Sequence, residues 1–130
     1  MNQHEIVFDG GSLGNPGHGY GSYRLRQTGG AWSDPTRLTF GKDVTNNEAE
    51  YRSLIAALAT LAADVGDPSG AAVEVFGDSQ LVIYHLRGEW KVRAENLKPL
   101  YQAALDAAKP FGRVTYTWQP RDKSVKLLGH

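Results

Sequence analysis

The chain of 130 residues has no cysteine, which excludes disulfides and thiolate metal sites. It carries no net charge either, since 14 basic residues balance 14 acidic ones. No global positive field advertises a polyanionic partner, so any polyanion binding must come from local placement of Lys and Arg. No apolar run approaches the ~20 residues of a membrane span, and the N-terminus lacks the apolar core of a secretory signal. These absences lead us to expect a cytoplasmic monomer with no membrane contact. What is present is ordinary: 41% hydrophobic and 22% charged residues suit a single globular domain over residues 1–130 with one core.

"EIVFD", residues 5–9, predicts a short buried strand ending in an acid. Glycines at 10, 11, 14, 17, 19 and 21 then predict a break in regular structure. "YGSYRLR" alternates like a half-exposed strand over 20–26, and "TGG" at 28–30 is a hairpin signal. A return strand is expected over 32–41, its first part limited by Pro35. From Asn46 the pattern becomes helical, with Leu54, Ile55, Leu58 and Leu61 on one face and Thr45, Asn46 or Asn47 available as cap. "AAVEVFGD" at 71–78 is a second short strand ending in an acid. Short helices over "SQLVIYHLRG" and 96–109, then a strand at 113–118, complete the pattern. Residues 119–130 form a short, weakly patterned tail, at most an incomplete last helix. The order implies an α/β fold: a mixed five-stranded sheet, an antiparallel meander followed by βα units, with helices on both faces.

Three acids stand out. Asp9 and Asp78 each end a strand, where ligands gather in open α/β sheets. Asp9 is expected to face open solvent. Glu50 lies one turn before Leu54 and so shares a direction with the apolar face, a costly place for an acid unless it is paired or metal-bound. If the two strands are neighbours and the helix crosses them, three carboxylates converge and require a hard divalent cation, with Mg²⁺ the best candidate. Taken singly each has a plainer reading: Asp9 as an Asx-turn residue, Glu50 as a first-turn acid favouring the helix dipole, Asp78 as an N-cap.

The combination of "FDGGSLGNPGHGYGSY", "TNNEAEYRSLIAAL", "VFGDSQLVIYHLRGEWKV", "PLYQAA" and "WQPR", in that order from about Ile6 to Arg121, resembles type 1 ribonuclease H. The resemblance implies an RNase H-like fold and an endoribonuclease that cuts the RNA strand of RNA–DNA hybrids with Mg²⁺ or Mn²⁺, two ions being bound alongside substrate. It implies 5′-phosphate and 3′-hydroxyl products. It makes Asp9, Glu50 and Asp78 the catalytic, metal-binding acids. The Asn-Asn-x-x-Glu spacing selects Glu50 over Glu48, which lies about 200° away on the helix. Gly10 and Gly11 would let the sugar-phosphate backbone pass close and offer free N–H groups to phosphates. Asn15, Asn46 and Gln80 match positions that contact nucleic acid, where neutral amides suit 2′-hydroxyls and base edges. Trp90 and Lys91 match a Trp-Lys pair near the DNA-strand surface; a Trp covering the core edge beside solvated bases is the competing reading.

One departure matters. The family's last helix carries Trp-x-Pro-Arg-x-x-Asn-x-x-Ala-Asp, whereas this chain has "WQPRDKSVKLL". Ser124 stands in the place of the Asn and Leu128 in the place of the fourth acid. Asp122 comes six residues too early to substitute and reads as a loop acid. His130 and His18 have poor or no motif matches and read as solvated residues. The expectation is retained but weakened cleavage, or a preference for Mn²⁺. The rival is a catalytically weak or inactive module that binds RNA–DNA hybrid or double-stranded RNA.

Overall fold

A computed structural model of the chain describes residues 2–129; His130 lies outside the described residues. Five strands form one sheet in the order β3-β2-β1-β4-β5. β1 (Asn2–Leu13), β2 (Gly17–Gln27) and β3 (Thr36–Val44) are the antiparallel meander. β4 (Ala71–Gly77) and β5 (Arg113–Trp118) extend it in parallel. The connecting helices are α1 (Asn46–Asp64), α2 (Gln80–Leu86) and α3 (Lys98–Ala108), and α4 (Arg121–Leu128) follows β5. The mixed sheet with helices on both faces is as the hydrophobic pattern predicts. Among the described residues, no helix is long and apolar enough to cross a membrane.

Strand alternation sorts the two faces. Ile6 and Phe8 of β1 join Leu54, Leu58, Ile83 and Leu97 in the main core beneath α1, α2 and α3. Val7 points the other way, towards the side where α4 packs on β1, β2 and β4, and Leu128 is fully buried there. α1 begins with a capping box: Glu48 N–H donates to Thr45 Oγ1 at 3.1 Å, and Thr45 N–H donates to Glu48 Oε1 at 2.9 Å. That gives Glu48 a local task and leaves Glu50 for the sheet side.

Three expectations are corrected. The glycine-rich stretch breaks regular structure only at the turn over 14–16. Gly10 and Gly11 lie in β1 and Gly17, Gly19 and Gly21 in β2, with Gly10 opposite Gly21. The reason is packing. A Cβ on Gly10 would sit 2.6 Å from the Ala49 carbonyl carbon of α1, and one on Gly21 would sit 1.8 Å from Ser53 Oγ. Glycine here lets the helix lie against the hairpin. The tail forms the short last helix that its pattern left open. Residues 121–128 form α4, ended by Gly129 in the left-handed region at φ 73°. Asp122 is therefore a first-turn helix acid, not a loop acid. Ser124 and Leu128, four residues apart, bury one helix face, and Arg24 Nη1 donates to the Leu127 carbonyl at 2.9 Å. The third strand is also displaced, running 36–44 instead of 32–41, since residues up to Pro35 stay outside the ladder.

Candidate active site

Asp9 and Asp78 come from neighbouring parallel strands. The β1–β4 ladder ends at Val7 opposite Phe76, and each acid lies two residues beyond that pair on its own strand line. Glu50 reaches them from the first turns of α1, which Gly10 allows to approach β1. One carboxylate oxygen from each of Asp9, Glu50 and Asp78 lies within 4.8 Å of the others. The convergence predicted from the sequence is present.

The surroundings differ from the expectation in several respects. Asp9 does not face open solvent: it is 4% exposed and Glu50 is 7% exposed. Gly10 N–H donates to Asp9 Oδ1 at 2.9 Å, so this amide serves the acid and is not held free for a phosphate. Gly11 is likewise buried, and a Cβ there would meet the Tyr20 hydroxyl at 2.5 Å. The glycines position the acids from within the protein. Nor is Asp78 an N-cap, since Ser79 caps α2 by accepting from Val82 N–H at 3.3 Å.

Burial, then the nearby charges of Asp9 and Asp78, pushes the Glu50 carboxyl well above the usual carboxylate range. Asp78 is raised by burial and by Asp9, with Arg121 pulling part of the way back. Glu50 Oε2 and Asp78 Oδ2 are buried without a hydrogen-bond partner. Unpartnered buried carboxylate oxygens crowded by like charge are a costly arrangement that a cation relieves. An all-oxygen donor set suits a hard divalent ion. The residues present therefore fit a divalent metal held by Asp9, Glu50 and Asp78.

Asn15 and Asn46 meet beside this cluster. Asn46 N–H donates to Asn15 Oδ1 at 3.0 Å, and Ser12 N–H donates to Asn46 Oδ1 at 2.8 Å. The β1–β2 hairpin tip is thus tied to the start of α1, and both carboxamide oxygens are occupied. Gln80 opens α2 and is exposed. Trp90 and Lys91 lie beyond the other end of α2, about 10 Å of helix away. Trp90 is 47% exposed and packs on Tyr84 at 5.0 Å between ring centroids. With Lys91, Arg93, His85 and Leu97 it lines a cavity of about 520 Å³. His85 is turned inward, its Nδ1 2.8 Å from the Tyr51 hydroxyl, and His18 is an exposed residue of β2.

Two neighbours escaped the sequence reading. Trp118 Nε1 donates to the Asp78 carbonyl at 3.1 Å, and Arg121 Nη1 lies 3.6 Å from Asp78 Oδ2. Their signal was "WQPR" itself, an indole and a cation just past a strand parallel to the one carrying Asp78. The position of the fourth family acid is taken by Leu128, which is fully buried and apolar.

Comparison with known proteins identifies the family of the chain. Residues 7–125 match the model of the reverse transcriptase-like family. The bifunctional protein Rv2228c of Mycobacterium tuberculosis is 39% identical over 121 residues, covering 92% of this chain and 32% of that protein. The structure of ribonuclease H1 from Halobacterium salinarum is 35% identical with a TM-score of 0.83, covering 94% of this chain and 89% of that one. LC11-RNase H1, solved in complex with an RNA/DNA hybrid, is 29% identical with a TM-score of 0.86, covering 95% and 89%. The chain belongs to the reverse transcriptase-like family, in its ribonuclease H type 1 branch, and has the RNase H-like α/β fold. It spans about a third of the length of the first curated relatives it matches.

Proposed function

We propose that this chain is a metal-dependent endoribonuclease that hydrolyses the RNA strand of RNA–DNA hybrids. The observation that carries the reading is the trio Asp9, Glu50 and Asp78, with oxygens within 4.8 Å of one another and two of them buried without partners. Membership of the ribonuclease H type 1 branch supports the same chemistry, and the hybrid bound to LC11-RNase H1 supports the substrate class. Divalent ions held by Asp9, Glu50 and Asp78 would supply an activated water and charge stabilisation at the leaving oxygen. The three acids fix the ions and, once ionised, offset their charge. A bond forms from water oxygen to phosphorus as the bond to the 3′ oxygen breaks and that oxygen takes a proton. The products carry 5′-phosphate and 3′-hydroxyl ends.

Asn15 and Asn46 orient the RNA strand. Their carboxamide oxygens are used internally, so each presents N–H donors to 2′-hydroxyls and base edges. Gln80 adds a third amide at the start of α2. Trp90 and Lys91 take the DNA strand, the indole against a sugar and the ammonium near a phosphate. With no net charge on the chain, affinity rests on these local contacts and falls steeply with salt.

Leu128 at the fourth-acid position leaves three carboxylates to hold two ions, with waters and phosphate oxygens completing their shells. Cleavage is retained, either weakened or with a preference for Mn²⁺. A labelled hybrid, titrated with each ion against intact protein and Asp78→Asn, tests this. Metal-dependent cutting lost in the variant is the expected result. Hybrid binding without cutting under either ion would replace the enzyme by a binding module.

A further inference from the structure

A cation stands at the edge of the site. Arg121 is the first residue of α4, and its Nη1 stands 3.6 Å from Asp78 Oδ2, too far for a hydrogen bond. Its backbone is firmly placed: Gln119 N–H donates to the Gly77 carbonyl at 2.9 Å, and Pro120 fixes the entry into the helix. Its side chain is 70% exposed, so packing does not hold the guanidinium. Asp78 Oδ2, by contrast, is buried and has no hydrogen-bond partner. A mobile cation hung from a rigid anchor beside an unsatisfied carboxylate forms a loose pair. The Glu5–Arg26 pair at 2.7 Å, with Arg26 stacked 4.3 Å from the Trp32 ring centre, shows what a locked pair looks like in the same molecule.

A divalent ion gripped by Asp9, Glu50 and Asp78 needs the Asp78 carboxylate and repels a guanidinium beside it. We propose that Arg121 is a charge-exchange residue: it shields Asp78 in the metal-free protein, is displaced when a divalent ion binds, and then contacts a backbone phosphate of the nucleic acid. This rests on the reading of the three acids as cation ligands. A planar guanidinium with several donors suits a phosphate better than a single distant carboxylate oxygen.

The decisive measurement needs no substrate. Calorimetric titration of Mn²⁺ into the protein alone should show Arg121→Ala binding the ion about two- to fivefold more tightly, the range an exposed ion pair supports. Arg121→Lys, which keeps the charge, should return most of the way to the parent value, and all three proteins should melt at similar temperatures. Binding to a non-cleavable hybrid in Mn²⁺ should weaken in Arg121→Ala, with the slope of log affinity against log salt reduced by about one. Unchanged or weaker Mn²⁺ binding by Arg121→Ala overturns the shielding. An unchanged salt slope overturns the phosphate contact. Parent protein that binds no Mn²⁺ at all sinks the carboxylate reading along with it, whereas tight parent binding with no difference between variants removes the exchange alone.

Discussion

Glu5 and Asp9 lie on the same strand, four residues apart, on the same face and almost equally buried. Glu5 meets Arg26 of β2 at 2.7 Å and is satisfied within the fold. Asp9 meets two further acids. The same strand thus carries one acid paired with a cation across the ladder and one gathered with two other acids. Buried carboxylates crowded together are a cost that a fold avoids. That the cost is accepted at one end of β1 and avoided at the other separates a site from a structural ion pair.

Four experiments probe this contrast. The largest difference is in turnover. Asp9→Asn or Asp78→Asn should lower initial cleavage of labelled hybrid by at least about a hundredfold, the scale of losing one electrostatic stabiliser, while Glu5→Gln leaves it near the parent rate. Comparable losses at Glu5 and Asp9 would erase the distinction. Next is Gly10→Ala, whose Cβ meets the Ala49 backbone at 2.6 Å. It should cost about 1–3 kcal/mol by overpacking, read in urea melts. Cleavage should fall further than hybrid binding, because Glu50 moves with α1.

The third effect is an inversion of stability in metal-free protein at neutral pH. Glu5→Gln should lower the melting temperature by leaving Arg26 unpaired, whereas Glu50→Gln should raise it. The sign follows from the raised Glu50 carboxyl. A group held above its unfolded value disfavours the folded state only once it ionises. The penalty is absent below about pH 4, the ordinary carboxylate range, and complete above the folded value. The gain from Glu50→Gln should therefore shrink as pH falls towards 4; a gain constant with pH would contradict it. The smallest effect is on protons. Divalent-ion binding should release them near neutral pH and tighten as pH rises, since Glu50 and Asp78 both hold protons more firmly than ordinary carboxylates. Calorimetry in buffers of different ionisation enthalpy counts the protons, and a count of zero would show that the acids are already ionised.

Much of this arrangement was legible before the fold was seen. The strand at 113–118 and the helix from Asn46 carry clean periodicity, and the structure places them at those residues. The acids were legible as a trio because two ended strands and one occupied an apolar helical direction. The glycines were misread since their effect depends on tertiary contact. Nothing local in "DGGSLGNPGHGYG" states that Ala49 will lie against residue 10. α4 was underread because its apolar content is slight: its order comes from Leu128 and Ser124 meeting the sheet, and from Arg24 capping its end. Arg121 and Trp118 stand in the quoted "WQPR" but carried no assigned role, because that role lies in the adjacency of β4 and β5.

The ladder between β1 and β4 has a further consequence. Asp9 and Asp78 stand at equal distances past its last rung, so backbone pairing between Asn2–Val7 and Ala71–Phe76 acts as the ruler that spaces them. Lengthening the connections at 28–35 or 65–70 leaves that ruler intact. A single-residue slip between the two strands would shift one acid by about 3.3 Å and turn it to the opposite face. Tolerance to insertion in this molecule is therefore a property of rung-to-rung alignment, and natural length variation should collect in the loops that do not touch it.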